Sequence, residues 1–180
     1  MDLRETPLTS HYEYEGKIIR LRVDDARMPD GSTAKREVFE HPGGVGVIAL
    51  TDEGEVLLVR QFRYPYAEIT TEIPAGKRDR GEDPLETGKR ELAEETGATA
   101  DHYTPLGVLY PTPGYCDEVI YLYLATGLHF AESHPDEDEF LDVLRVPLNT
   151  LVERVMAGEI PDAKTQIAAL KAWKLTEGNV

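Results

Sequence analysis

Apolar and polar residues alternate with a period of two over most of this chain, in short runs broken by turn-forming residues. KIIRLRVD (17–24) and AKREVFE (34–40) flank Met28-Pro29-Asp30-Gly31, whose Asp-Gly step supplies turn chemistry, so the pattern predicts a hairpin. GVGVIAL (44–50) and EVLLVRQF (55–62) flank Thr51-Asp52-Glu53-Gly54, and Gly54 there can close a second antiparallel hairpin. Further strands are predicted at 69–74, 104–110, 117–125 and 141–146. The period changes to that of a helix at 84–96, 147–157 and 162–175. Many strands with few, scattered helices indicate an α+β layered domain with a mixed sheet, not a doubly wound parallel one. Neither a repeat nor a low-complexity or Gly/Ser-rich linker interrupts the chain.

Composition narrows this picture. With 180 residues, 41% of them hydrophobic, the chain can build one well-packed domain but is short for two. Its 19 basic and 34 acidic residues leave a formal charge of −15, which opposes binding to nucleic acid or to anionic membrane surfaces. An anionic substrate would need local cations beside it. The opening MDLRETPLTS has no apolar core, and no stretch approaches the ~20 apolar residues of a membrane helix, so a cytoplasmic protein is expected. Cys116 stands alone, which excludes an intramolecular disulfide and a thiolate metal cluster and suggests a spare buried thiol.

The helix at 84–96 carries its own start and stop. Asp83 can cap it, Pro84 suits the first helical position, Glu86 completes a capping-box arrangement and Gly97 can end it. At ~100° per residue Glu91, Glu94 and Glu95 share about a third of the circumference, while Leu85 and Leu92 mark a different side, expected to face the core. Like charges three and four apart repel, and two of them sit near the helix C-terminus, where the dipole disfavours anions. Such a cluster is either a solvated face or a site for something positive. Lys89 and Arg90 offset part of the charge, and hard divalent cations would offset it more completely.

The spacing shifts the balance toward the second. Gly76, five residues, Glu82, seven residues, then Arg90-Glu91-Leu92-Ala93-Glu94-Glu95-Thr96-Gly97-Ala98 resembles the Nudix hydrolase signature, G-x5-E-x7-R-E-U-x-E-E-x-G-U, at every specified position, with Ala98 the weakest fit to U. The resemblance implies an α/β/α sandwich that binds Mg²⁺ or Mn²⁺ and hydrolyses a nucleoside diphosphate linked to another group. It implies Glu91 and Glu95 as principal metal ligands, Glu94 as a further ligand and the Ala75 carbonyl as another. Arg90 would orient the glutamates and Glu82 would support the loop. On the same basis residues 1–40 form an N-terminal β extension and 41–180 the Nudix catalytic domain.

QFRYPYAEITTEIPAGK (61–77) and PTPGYCDE (111–118) resemble the ADP-ribose pyrophosphatase branch of the family, in which a proline lies sixteen residues beyond the second box glycine; here it is Pro113. The branch implies that Pro113 shapes the sugar side of the pocket and that Arg63 contacts the diphosphate, where an ordinary surface ion pair is the alternative. It implies that Arg36 and Glu37 reach the adenosine from the neighbouring subunit of a swapped homodimer. Some relatives sandwich adenine between tryptophans, but the single tryptophan here is Trp173, leaving Phe39, Tyr14 or Tyr66 to stack. A carboxylate that takes the proton from water is sought in HPDEDEFLDV (134–143), where the branch points to Glu139 as base or extra metal ligand and to Glu137 second. The implied reaction is hydrolysis of ADP-ribose to AMP and ribose 5-phosphate. Another nucleoside diphosphate sugar or a dinucleoside polyphosphate would use the same metal logic; a non-catalytic ADP-ribose-binding module would be expected to lose box glutamates, and all are present here. There is no G-x-x-x-x-G-K-[ST], which disfavours P-loop chemistry.

Overall fold

A computed structural model describes residues 2–134 and 140–177. The chain forms two compact units: the N-terminal residues up to Gly43 with Tyr110–Val119, and Gly44–Leu109 with the chain from Ile120 onward.

The first unit is a three-stranded antiparallel sheet, β1 (Thr6–Glu15), β2 (Arg20–Arg27) and β3 (Thr33–Glu40), in the order β1-β2-β3. The predicted hairpin is β2–β3, in register from Arg20 opposite Glu40 to Arg27 opposite Thr33, and Gly31 at its turn takes φ +88°. Strand β1 was not predicted. Every one of its residues is exposed, so burial imposed no alternation on TPLTSHYEYE, and its pairing with β2 supplies the order. The segment 110–119 joins this unit through backbone bonds: Phe39 N–H donates to the Tyr115 carbonyl (2.7 Å) and Asp117 N–H to the Phe39 carbonyl (3.0 Å). Cys116, in that segment, is half-buried.

The second unit carries a seven-stranded sheet of β4 (Gly44–Leu50), β5 (Glu55–Arg63), β6 (Glu68–Glu72), β7 (Ala75–Lys77), β8 (Ala98–Leu109), β9 (Ile120–Phe130) and β10 (Leu141–Pro147). The order is β10-β5-β4-β9-β8, with β6 beside β5 and β7 beside β4. Among the described residues of this sheet only the β4–β9 pair is parallel. The predicted hairpin of β4 with β5 is real but brief: Ala49 opposes Leu57 and Leu50 opposes Val56. Beyond these pairs β7 takes the edge of Gly44–Gly46 and β6 the edge of Val59–Arg63, so the two strands diverge. At three residues β7 is too short for periodicity to reveal. Strand β8 begins at Ala98, six residues before the predicted start, and β9 runs to Phe130, past the predicted end at 125.

Alternation along β4 sorts the layers. Val45, Val47 and Ala49 pack with Leu92 of α1 (Pro84–Thr96), whereas Ile48 packs with Leu148, Leu151 and Val155 of α2 (Leu148–Met156) and with Ala168, Ala169 and Ala172 of α3 (Ala163–Glu177). The second unit is thus an α/β/α sandwich on a mixed sheet, and among the described residues no helix is long and apolar enough to cross a membrane.

Helix α1 starts as the sequence instructs. The Asp83 carboxylate accepts from Leu85 N–H (2.9 Å) and Glu86 N–H (3.4 Å), and Gly97 ends the helix in the left-handed region at φ 69°. Two expectations need correction. Glu86 does not complete a capping box but pairs with Lys89 one turn on (2.7 Å). The buried face of α1 comprises Thr87, Gly88, Glu91, Leu92 and Glu95, with Leu85 only half-buried, so two of the glutamates point inward beside Leu92, not away from it.

Candidate active site

The inward glutamates are accommodated by β7, which runs past the last turns of α1. Ala75 N–H donates to Glu95 Oε2 at 3.1 Å. The next residue, Gly76, leaves the space in which the Glu91 carboxylate lies: a Cβ there would stand 1.9 Å from Glu91 Cδ and 2.0 and 2.3 Å from its two oxygens. Glu91 is 7% and Glu95 1% exposed. Two carboxylates and the Ala75–Gly76 backbone therefore converge, and the pairing of Gly76 with Glu91 has a steric reason.

Arg90 organises the outer side of the same helix. Its Nη1 lies 2.9 Å from both Glu91 Oε1 and Glu94 Oε2, and its Nε lies 3.3 Å from Glu82 Oε1. Partial burial works against the guanidinium charge, but Glu82, Glu91 and Glu94 outweigh it and hold the arginine firmly protonated. Glu82 in turn is held down to about 2, chiefly by Arg90 and then by the Asp79 N–H. It ties the loop before α1 to the helix, as the sequence suggested. Arg78 braces that loop from within, donating to the Glu82 carbonyl (2.6 Å) while its guanidinium lies 5.2 Å from the centre of the Tyr121 ring.

Arg63, at the end of β5, forks Glu72 at the end of β6, Nε to Oε1 and Nη2 to Oε2, both at 2.6 Å. This is not a surface pair, because Glu72 is 2% exposed. Burial alone would raise the Glu72 carboxyl, yet Arg63, Lys164 and Thr70 together hold it at about 2. Glu95 lies close enough for its charge to favour the Arg63 cation. Neither Glu72 nor Lys164 was picked out from sequence; Lys164 lies 92 residues from its partner, and nothing local announces the pairing.

Arg63, Ala75, Glu91, Glu94 and Glu95 all belong to the second unit. Arg36, Glu37 and Pro113 belong to the first. Arg36 is forked by Glu5 at 2.8 Å on both arms, while Glu37, next along β3, is exposed on the opposite face. Pro113 sits in a turn closed by Tyr115 and Cys116 N–H bonds to the Thr112 carbonyl (3.2 and 3.1 Å). Of the stacking candidates, Phe39 packs edge-on against Tyr115 at 6.2 Å, and Tyr14 and Tyr66 are exposed. Glu137 and Glu139 lie outside the described residues. Among the described residues no three His, Cys, Asp or Glu side chains share one metal position. The donor set that does converge is two buried carboxylates beside a strand backbone, in a cradle that a single methyl would fill; hard oxygen donors of this kind suit a divalent cation.

The model of the NUDIX domain matches residues 40–167, the stretch that contains β7, the loop and α1. The chain belongs to the Nudix family. Hydrolases of this family use divalent metal ions, and the cradle at Gly76, Glu91 and Glu95 lies within their signature. Ahead of the Nudix domain, residues 5–39 match the N-terminal domain of nucleoside diphosphate sugar hydrolases. This Nudix chain is 43% identical over 168 residues to an ADP-ribose pyrophosphatase of Bacillus subtilis (strain 168), covering 92% of this chain and 91% of the relative. It is 41% identical over 166 residues to the methanol dehydrogenase activator of Bacillus methanolicus, covering 91% and 90%. A crystal structure of an ADP compounds hydrolase superposes with a TM-score of 0.86 at 22% identity, covering 99% of this chain and 98% of that one, a likeness of fold.

Proposed function

We propose that this Nudix hydrolase cleaves the diphosphate of ADP-ribose, or of a related ADP-sugar, to AMP and a sugar phosphate. The observation that carries the proposal is the cradle in which Glu91 and Glu95 are turned inward against Ala75 and Gly76, in a chain 43% identical to an ADP-ribose pyrophosphatase. Mg²⁺, with Mn²⁺ able to replace it, would be held by Glu91, Glu95 and the Ala75 carbonyl, with Glu94 and Glu139 as further ligands. Such ions supply positive charge to diphosphate oxygens and activate water. Arg90, bound to both Glu91 and Glu94, keeps those carboxylates oriented. Arg63 hydrogen-bonds the diphosphate, supplying a local cation in a chain of charge −15. Glu139 takes the proton from the attacking water, with Glu137 as the second candidate. No covalent intermediate is needed. Water attacks the adenosyl phosphorus, so hydrolysis in ¹⁸O-water puts the label in AMP; label in ribose 5-phosphate alone reverses the polarity.

The functional particle is a cytoplasmic homodimer built through the N-terminal sheet, which brings Arg36 and Glu37 to the adenosine of a neighbouring subunit, while Pro113 borders the sugar. Sedimentation at micromolar concentration tests this, and a fully active monomer refutes it. The reaction itself is tested by Mg²⁺-dependent hydrolysis across a panel of nucleoside diphosphate sugars and dinucleoside polyphosphates with products identified. Rapid cleavage of another nucleotide beside inert ADP-ribose transfers the assignment to that substrate. The near-equal identity to a methanol dehydrogenase activator warrants one further arm, stimulation of a methanol dehydrogenase by the same preparation.

A further inference from the structure

The pairing of Arg63 with Glu72 leaves part of the arginine unused. It engages Nε and one hydrogen of Nη2, and a guanidinium offers five N–H donors, so the Nη1 edge remains for an external oxyanion. The side chain of Arg63 is 38% exposed, against 2% for Glu72. A forked carboxylate therefore grips the inner edge of an arginine whose outer edge meets solvent.

Glu72 is itself gripped from behind. Thr70 Oγ1 donates to Glu72 Oε1 at 2.5 Å, and Lys164 Nζ donates to Oε2. Lys164, whose side chain is 11% exposed, also bonds Asp162 at 2.8 Å. Asp162 caps α3 by accepting from Thr165 N–H at 2.8 Å and from the Thr165 hydroxyl at 2.5 Å. The same Thr165 oxygen accepts from Ile73 N–H, one residue past Glu72, at 2.8 Å. The end of β6 is thus pinned to the first turn of α3 at two points. Arg63 and Lys164 are matched by Glu72 and Asp162, so the group is formally neutral and the fork fixes the direction of the Arg63 guanidinium.

We propose that Glu72 is a positioning residue that aims the outer edge of Arg63 at the substrate diphosphate, and that Lys164, anchored on α3, holds Glu72 to that task. This rests on the proposed role of Arg63 as a diphosphate ligand. The two cations differ in kind: Arg63 meets the substrate and Lys164 does not.

A double-mutant cycle with the substrate that the hydrolysis panel identifies separates the two ideas. Glu72→Gln keeps the size of the side chain but loses the charged fork, and raises KM about tenfold, the size of one charge-assisted hydrogen bond. In an Arg63→Ala background the same change adds less than about twofold, because its effect runs through the arginine. Lys164→Met, which leaves the fork itself in place, raises KM severalfold with kcat nearly unchanged, and Lys164→Arg restores it; this variant carries the test if Glu72→Gln does not fold. The Nε–H resonance of Arg63, assigned by its loss in Arg63→Lys, exchanges slowly with water in the wild type and fast in Glu72→Gln, a readout independent of turnover. Arg63→Ala with unchanged KM removes the diphosphate role of Arg63 and this inference with it. A KM effect at Arg63 to which the Glu72 effect adds in full, or a fast-exchanging Arg63 Nε–H in the wild type, removes the inference alone.

Discussion

Replacing Gly76 by alanine adds one methyl where the structure has no room for it. The new Cβ would lie 1.9 Å from Glu91 Cδ and 2.0 and 2.3 Å from the carboxylate oxygens. Carbon atoms in contact prefer about 3.5–4.0 Å, so the carboxyl group must retreat by about 1.5–2 Å or β7 must leave the helix. Either displacement exceeds the ~0.5 Å within which a catalytic constellation works, and a misplacement of about 1 Å can cost ~100-fold in rate. We therefore expect Gly76→Ala to lower kcat for ADP-ribose by about 100-fold or more. Overpacking destabilises by about 1–3 kcal/mol, which in a chain of this size lowers Tm by roughly 2–12 °C. The assay pairs steady-state hydrolysis with thermal unfolding, and it includes Glu91→Ala alone and combined with Gly76→Ala. Because the clash is with the Glu91 carboxyl, Gly76→Ala should cost little stability once that group is gone. Wild-type kcat and Tm in Gly76→Ala would refute the cradle, and an unchanged stability penalty in the Glu91→Ala background would place the clash elsewhere.

Glu95→Gln retains an oxygen that can accept from Ala75 N–H, so it should fold with Tm nearly unchanged while turnover falls on the order of 100-fold at saturating Mg²⁺; full activity would end the metal-helix assignment. Glu139→Gln should lower kcat by ~10²–10⁴ and Glu137→Gln by much less, and the reverse ranking would shift the base by two residues. Acid stability should register Glu72. Its carboxyl is lowered from 4.5 to about 2 in the folded protein, so the folded state holds fewer protons than the unfolded one in that interval. The stabilisation, about 3 kcal/mol, is complete above pH 4.5 and lost as pH falls toward 2. Denaturant melts at pH 7 and pH 3 should show the wild-type advantage over Glu72→Gln shrinking with acid; an advantage independent of pH would contradict the buried fork.

Local chemistry was legible where the deciding partners are near in the chain. Asp83, Pro84 and Gly97 bound α1 by contacts within a few residues, and the β2–β3 turn is written in Asp30-Gly31. The spacing from Gly76 to Glu95 announced the glutamate cluster for the same reason, since one loop and one helix carry all of it. Strand β1 left no mark because, with every residue exposed, no burial selects an apolar period.

Which way the glutamates face was a different matter. Helical periodicity assigned the inward side to Leu85 and Leu92, because apolar residues are the usual guide to a core. The inward side is in fact set by β7, whose Ala75 N–H and missing Gly76 side chain give Glu91 and Glu95 a polar, roomy berth that no helical wheel can show. The brief β4–β5 hairpin likewise yields to strands that arrive from elsewhere in the chain. Arg63 could be singled out by its place in a motif, but its partner Glu72 acquires meaning only when Lys164, 92 residues on, is brought against it by the packing of α3. Residue types and short spacings thus prescribe caps, turns and the presence of a helix rich in glutamate, because those depend on neighbours along the chain. The inward aim of the carboxylates and the aim of the arginine depend on neighbours in space, and the packing of strands and helices alone supplies those.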